Sequence, residues 1–330
     1  MKPTRQAELE SMLTQHLQAP YPIHSRIHHL NSFPKGYYVK RDDELGFGIS
    51  GSKLRKYRSL IPFLLQMGIQ KVIVIGSAYS NHVLGIIQLL IENRIQPLLF
   101  LKETKNATPQ GNLLLIQLLV PEIHWVASHA WNQVELMAQE YATEHIGQKI
   151  FILKEGASTV QALPGALSLP LDMIRNEIEN GVEFNHFLVE SGTGLMASAA
   201  ILGLQWLQKP VTVHVLLLAD DENFFIEQLN IFHHAFEKLM QRKCAFPNNF
   251  TLYKPASAAA FGSTNAEVFH AIKDIARQEG FFVDPIYTGK LFLHARALAK
   301  KGNLLGNILI NHSGGGLTLT GFQNQLRGCL

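Results

Sequence analysis

From residue 53 onward the chain alternates between short apolar runs rich in β-branched residues and longer stretches with helical spacing, and this limits the fold more than any other feature. Strands are expected at 71–75, 96–101, 123–126 and 149–153, and helices at 54–67, 80–93, 109–119 and 131–145. The second half repeats the pattern, with helices at 162–180, 195–207, 222–243, 264–278 and 288–301 and strands at 187–189, 211–218 and 307–310. Strands separated by helices need crossover connections, so the sheets should be parallel with helices on their faces, an α/β fold. In such sheets ligands sit beyond the carboxyl ends of strands, where residues 76–82 and 155–159 fall. No short internal repeat and no low-complexity linker interrupts the pattern.

Ahead of the alternation, after an N-terminal helix-like segment, Tyr21-Pro22-Ile23-His24 reads as an extended lead-in, and 37–40 reads as a short strand ending at Arg41-Asp42-Asp43. The two aspartates lack further ligands at metal-binding spacing and read as loop charges or partners of Arg41. At 330 residues the chain is long for one core, so two domains are expected. With 47% apolar and 17% charged residues, disorder is excluded. A net charge of +3 leaves no footprint for nucleic acid, and the one basic knot, 53–58, suits a phosphate or a carboxylate. Cys244 and Cys329 read as free thiols of a reducing compartment. The charged N-terminus lacks the apolar stretch of a signal peptide, and the longest apolar runs, 83–91 and 113–120, fall short of the ~20 residues of a spanning helix. A cytoplasmic protein without membrane partners is expected. The pairs His28-His29 and His233-His234 are adjacent rather than helically spaced, so they read as packing or surface residues, and no metal is expected.

The stretch Ile49-Ser50-Gly51-Ser52-Lys53-Leu54-Arg55-Lys56 places Lys53 where a flexible loop enters a helix. A lysine there can become a nucleophile, and the cations Arg55 and Lys56 should lower its pKa by repulsion. Taken alone it also reads as a solvated basic first turn. Glu190-Ser191-Gly192-Thr193-Gly194 lies between a strand and a helix, so its amides could hold an anion or simply pack tightly. Ser80-Asn81-His82 opens a helix, with Ser80 as its N-cap. Near the end, His312-Ser313-Gly314-Gly315-Gly316 follows a strand, and its glycines permit close approach to a ligand or make a plain turn. Tyr287, in Asp284-Pro285-Ile286-Tyr287-Thr288-Gly289-Lys290, stands in a turn before a helix and could equally pack there.

Taken in this order, Ser-Gly-Ser-Lys, the Gly76-to-His82 turn, the Asp284-to-Lys290 turn and His312-Ser313-Gly314-Gly315 resemble the pyridoxal-phosphate enzymes that include 1-aminocyclopropane-1-carboxylate deaminase and D-cysteine desulfhydrase. The resemblance implies the two-domain fold of the tryptophan synthase β-subunit type. Residues 1–53 and 161–330 would form the large cofactor-binding domain, and 54–160 a small domain inserted in it. It implies pyridoxal 5'-phosphate joined to Lys53, with Lys53, Ser80 and Tyr287 acting on a small amino acid. Asn81 would meet the phenolic oxygen of the cofactor, Gly192, Thr193, Gly194 and Leu195 its phosphate, and Ser313 its pyridine nitrogen. A hydroxyl partner such as Ser313 should leave that nitrogen unprotonated and so favour elimination. The aspartates at 42 and 43 would lie at the mouth of the site, and the protein would be a homodimer.

The chain departs from the family pattern at Ser52, Ala157, Thr159, Leu195, Met196 and Phe261, the last replacing a tyrosine. Deaminases typically carry glutamate at position 288 and leucine at 313, whereas this chain has Thr288 and Ser313, closer to the desulfhydrase pair of threonines. The expected activity is therefore elimination from D-cysteine to pyruvate, sulfide and ammonia. The alternatives are 1-aminocyclopropane-1-carboxylate deamination, a more distant activity of the fold such as serine dehydration or cysteine synthesis, and a non-catalytic relative that binds a small anion.

Overall fold

Within Lys71–Ser77, Val72 and Val74 point into one apolar core while Ile73 and Ile75 point into another. A strand buried on both faces reads as a continuous apolar run, which is why this one is plain in the sequence. A computed structural model describes residues 3–17, 23–104, 109–120, 122–219 and 221–330. Its strands are β1 (Ile27–His29), β2 (Tyr37–Lys40), β3 (Lys71–Ser77), β4 (Gln96–Lys102), β5 (Ile123–Val126), β6 (Ile150–Leu153), β7 (His186–Ser191), β8 (Thr212–Leu217), β9 (Phe250–Tyr253) and β10 (Ile308–Asn311). The helices used below are α1 (Arg5–His16), α2 (Lys53–Gln66), α3 (Asn81–Glu92), α4 (Gly111–Leu119), α5 (Val134–Glu144), α6 (Leu163–Ala166), α7 (Ser168–Asn180), α8 (Leu195–Trp206), α9 (Glu222–Leu239), α10 (Ala266–Glu279) and α11 (Thr288–Lys301).

Two sheets result. The smaller, in the order β5-β4-β3-β6, is wholly parallel. The larger runs β1-β2-β10-β7-β8-β9 and is parallel except for the β1–β2 pair. Helices cover both faces of each. On the larger sheet, α1 and α6 to α9 pack on one face, and α10 and α11 on the other. On the smaller sheet, α2, α3 and α4 share one face and α5 takes the other. Leu60, Ile61 and Leu64 of α2 are fully buried, each worth about 1.5–3 kcal/mol relative to exposure.

After β7, β8 and β9 are added outward on one side, and then β10 returns to the opposite side of β7. The strand order reverses between β7 and β10, and a crevice forms where connections diverge at such a point. Ser191 ends β7 and His312 follows β10, so the Gly192-to-Gly194 turn and Ser313 both face that crevice from its floor.

The structure adds and corrects details. The expected helix 162–180 is divided at Leu167 into α6 and α7, since Pro170 has no N–H to give to Ala166. The expected helix 222–243 stops at Leu239, with Gln241 in a left-handed conformation. The edge strands β1 and β9 were not legible, being only three and four residues long. The strand at 37–40 is present, whereas Tyr21 and Pro22 of the extended lead-in lie outside the described residues.

Candidate active site

Lys53 is the first residue of α2, and its position is fixed by contacts of the loop before it. Gly51 has φ +55°, and a β-carbon there would come within 2.0 Å of the Ser313 carbonyl oxygen. Only glycine fits at that approach. The Ser52 amide donates to the same oxygen at 2.9 Å, so the lysine loop and the loop after β10 are joined backbone to backbone.

Behind Lys53 lies a buried ion network. Arg55, fully buried, donates Nη2 to Asp42 Oδ1 and to Asp172 Oδ2, both at 2.6 Å, and Nε to Asp42 Oδ2 at 2.8 Å. Lys40 reaches Asp172 and Asn176, each at 2.6 Å, and the Ser52 hydroxyl donates to Asp42 at 2.8 Å. Burial alone would raise the Asp42 carboxyl, but the Arg55 guanidinium overrides it and holds Asp42 well below the usual carboxylate range. Asp42 is thus not at the mouth of the site but beneath it, while Asp43 pairs with Arg41 as the sequence suggested.

This arrangement also corrects the expected cause of Lys53's reactivity. Its pKa is lowered chiefly by burial, against the opposing pull of Glu190 and Asp284. Arg55 is neutralised by its two aspartates and faces away. Lys56 bears the repulsion instead. Burial first and then the Lys53 cation bring it down to about 7, and its Nζ donates to the Gly156 carbonyl at 3.0 Å.

The other expected residues converge here. The Tyr287 ring lies under Lys53 Nζ, 5.8 Å from its centroid, and a β-carbon at Gly192 would meet Tyr287 Cε1 at 3.3 Å. Burial, then Asp284, Glu155 and Glu190, raise the phenol's pKa, so it keeps its proton. Ser80 caps α3, its Oγ accepting from the amides of His82 at 3.1 Å and Val83 at 3.3 Å. Asn81 is buried and accepts at Oδ1 from Asn112 and Thr318, while its Nδ2 lies beside Gly315 and Asp284. Gly194 has φ +87° at the start of α8, which has no side-chain cap, so the turn offers amides to an anion. Leu195 is fully buried in the core and Met196 packs against it, so position 195 can offer its amide only. Thr193 is pressed against Gly156, and Ser158 donates to the Thr193 carbonyl at 2.8 Å, tying the loop after β6 to this turn.

The family profile described as pyridoxal-phosphate dependent enzyme matches residues 19–314. The chain belongs to that family. Among its relatives, a Pyrococcus horikoshii protein provisionally named 1-aminocyclopropane-1-carboxylate deaminase is 28% identical over 283 residues, covering 84% of each chain. A D-cysteine desulfhydrase of Yersinia pestis is 28% identical over 313 residues, covering 88% of this chain and 89% of that one. A crystal structure of an ACC deaminase homologue superposes with a TM-score of 0.85 at 24% identity, covering 98% of this chain and 99% of that one. The protein is a pyridoxal-phosphate-dependent enzyme with the two-sheet fold expected of the tryptophan synthase β-subunit type.

The residues of this pyridoxal-phosphate enzyme fit the cofactor. They supply a lysine of lowered basicity, an uncapped helix start for a phosphate, and a buried carboxyl oxygen, Glu190 Oε2, with no hydrogen-bond partner among the described residues. Glu190 and Lys56 are the two residues whose bearing on the site the sequence did not convey. Glu190 takes the Ser313 hydroxyl on Oε1. Its carboxyl is raised to about 7 by burial, against the Ser313 hydrogen bond and the Lys53 charge. Thr288 is another surprise. It is fully buried, exchanging hydrogen bonds with the Asp284 backbone and carboxylate, so its hydroxyl proton is already committed to Asp284. Phe261 is half-exposed with its ring edge-on to Tyr287, 6.1 Å between centroids. Far from this site, donor atoms of His233, Glu237 and Cys244 lie within 4.8 Å of one another. The Glu237 carboxylate there is already held by Lys243 and the Cys244 amide. No helix among the described residues is long and apolar enough to cross a membrane.

Proposed function

We propose that the protein removes the β-substituent of a small amino acid, D-cysteine above all, giving pyruvate, sulfide and ammonia. The observation that carries the reading is the pairing of Lys53 with Tyr287 at the crevice between β7 and β10. Pyridoxal phosphate, when bound, supplies a sink for the charge that develops at the substrate's α-carbon. Lys53, of lowered basicity, holds the cofactor and, once freed by the incoming amino group, takes the α-proton at Nζ. Tyr287 keeps its proton and stands ready to give a hydrogen bond to the departing sulfur.

The Ser80 hydroxyl, with its oxygen occupied by two helix amides, still has its proton to direct at a substrate carboxylate. Asn81 would hold the phenolic oxygen through Nδ2. The amides of Gly192, Thr193, Gly194 and Leu195, with the Lys56 ammonium, would hold the phosphate. The loss of hydroxyls at 195 and 196 leaves those amides in place, which favours a working enzyme over a non-catalytic relative.

Thr288 contributes to the choice of reaction by what it withholds. No carboxyl stands there to assist ring opening, and Phe261 removes one phenol from the mouth of the site. A thiol is a good leaving group and needs less help. Deamination of 1-aminocyclopropane-1-carboxylate is the second reading, favoured by the similarity to the Pyrococcus horikoshii protein. Residues 1–53 with 161–330 and residues 54–160 would act as two domains closing on the substrate, in a cytoplasmic homodimer.

Parallel assays of purified, cofactor-loaded protein test the choice. Sulfide release from D-cysteine, or chloride release from its β-chloro analogue, should exceed formation of 2-oxobutanoate from 1-aminocyclopropane-1-carboxylate. Faster ring opening would reject the desulfhydrase reading, and size measurement by light scattering tests the dimer.

A further inference from the structure

We propose that Glu190, acting through the Ser313 hydroxyl, keeps a proton on the ring nitrogen of the bound cofactor. The inference rests on the reading that places Ser313 at that nitrogen, and it reverses the expectation that a serine there leaves the ring unprotonated. Its basis is the direction of one hydrogen bond. With Glu190 ionised, the Ser313 hydroxyl can only donate to its Oε1, so the serine's proton is committed and its oxygen presents lone pairs. An oxygen in that state accepts a hydrogen bond and does not give one. The partner it suits is a protonated ring N–H, and the positive charge of that ring is balanced by the carboxylate one bond further on.

Several features make Glu190 a charge-balancing group rather than a packing residue. It is the penultimate residue of β7, and Ser313 lies two residues past β10, so both stand at the crevice where the strand order reverses. The residue is 9% exposed, and its second carboxyl oxygen, Oε2, has no partner among the described residues. Burying a carboxyl this way is costly unless a positive group arrives. The charged and titratable groups around it come from separate elements: Lys53 and Lys56 from α2, and Asp284 and Tyr287 from the turn before α11. A protonated ring, reached through Ser313, would supply a cation that offsets the buried carboxylate. No atom is transferred beyond a single proton, which the carboxyl itself, titrating near 7, can supply. Glu190 is on this account a positioning residue, since Ser313 lies between it and the ring.

The test uses full-length protein loaded with pyridoxal phosphate carrying nitrogen-15 in the ring. The nitrogen resonance, the visible absorption and the cofactor content are read for wild type, Glu190→Gln and Ser313→Ala at neutral pH. The wild type should give the pyridinium resonance. Both variants should move to the position of an unprotonated pyridine while keeping bound cofactor, with kcat for elimination falling about tenfold or more and KM little changed. A neutral-pyridine resonance in the wild type overturns the proposal, as does a pyridinium resonance that survives Glu190→Gln. Loss of cofactor and of thermal stability in Glu190→Gln, with the pyridinium signal intact in Ser313→Ala, would make Glu190 structural and likewise overturn it. A wild type that takes up no cofactor would instead reject the assignment of the site, so the two failures are distinguishable.

Discussion

At the scale of single residues, the site turns on how one ammonium is made easy to deprotonate. Burial does this for Lys53, and the adjacent cation Lys56 takes most of the mutual repulsion. The competing lysines are otherwise engaged: Lys40 with Asp172 and Asn176, Lys56 with the Gly156 carbonyl, and Lys290 with the Ala258 carbonyl. Lys53→Ala should therefore abolish the visible absorption of the lysine-bound cofactor and its trapping by borohydride. Peptide mapping of the trapped wild-type protein should find the label on Lys53, and a label on Lys40, Lys56 or Lys290 would reject the assignment. The sequence conveyed the lysine because a loop of small residues runs straight into a helix. It could not convey Glu190, because the partner that gives it meaning, Ser313, is 123 residues away.

At the scale of elements, local pattern and tertiary fit are separable. The central strands were legible because both faces are buried and the runs are continuous, whereas β1 and β9 lie at sheet edges and are short. The buried roles of Asp42 and Thr288 were hidden because each depends on a partner that no period reveals: Arg55 for one, Asp284 for the other. Gly51 offers a way to measure how much the junction of two loops matters. Its replacement by alanine imposes a left-handed conformation costing about 1 kcal/mol and also drives a β-carbon against the Ser313 carbonyl. Gly181, with φ +61° and nothing within 4 Å of its β-position, isolates the first effect. In urea denaturation, Gly181→Ala should lose about 1 kcal/mol and Gly51→Ala roughly 2 kcal/mol or more. Gly51→Ala should also weaken cofactor binding, because Ser313 must shift. Equal losses in the two variants would mean that the two loops are not rigidly joined.

At the scale of the whole molecule, the buried charges impose opposite slopes on stability as pH changes. Asp42 and Asp172 are held below the usual carboxylate value of 3.8, the charge of Arg55 outweighing the effect of burial. Their contribution is fully present above that value and is lost as pH falls below it, through their depressed folded values. Glu190 has the reverse sign. Its pKa rises from 4.5 to about 7 on folding, chiefly by burial, so the folded chain holds its proton more tightly than the unfolded one. Stability of the cofactor-free protein must then decline as pH rises from 4.5 through 7, by roughly 3 kcal/mol at most, and level off above. Glu190→Gln removes the titrating group. The variant should match the wild type near pH 4.5, exceed it increasingly up to about 7, and hold a constant advantage at higher pH. Both proteins should share the same acid limb, because Arg55 and its two aspartates are intact in each. Urea unfolding of the cofactor-free proteins across this range measures the difference directly. A deficit for Glu190→Gln that stays constant with pH would show that the carboxyl is held charged by its surroundings, and that the cost of burying it has already been met within the protein.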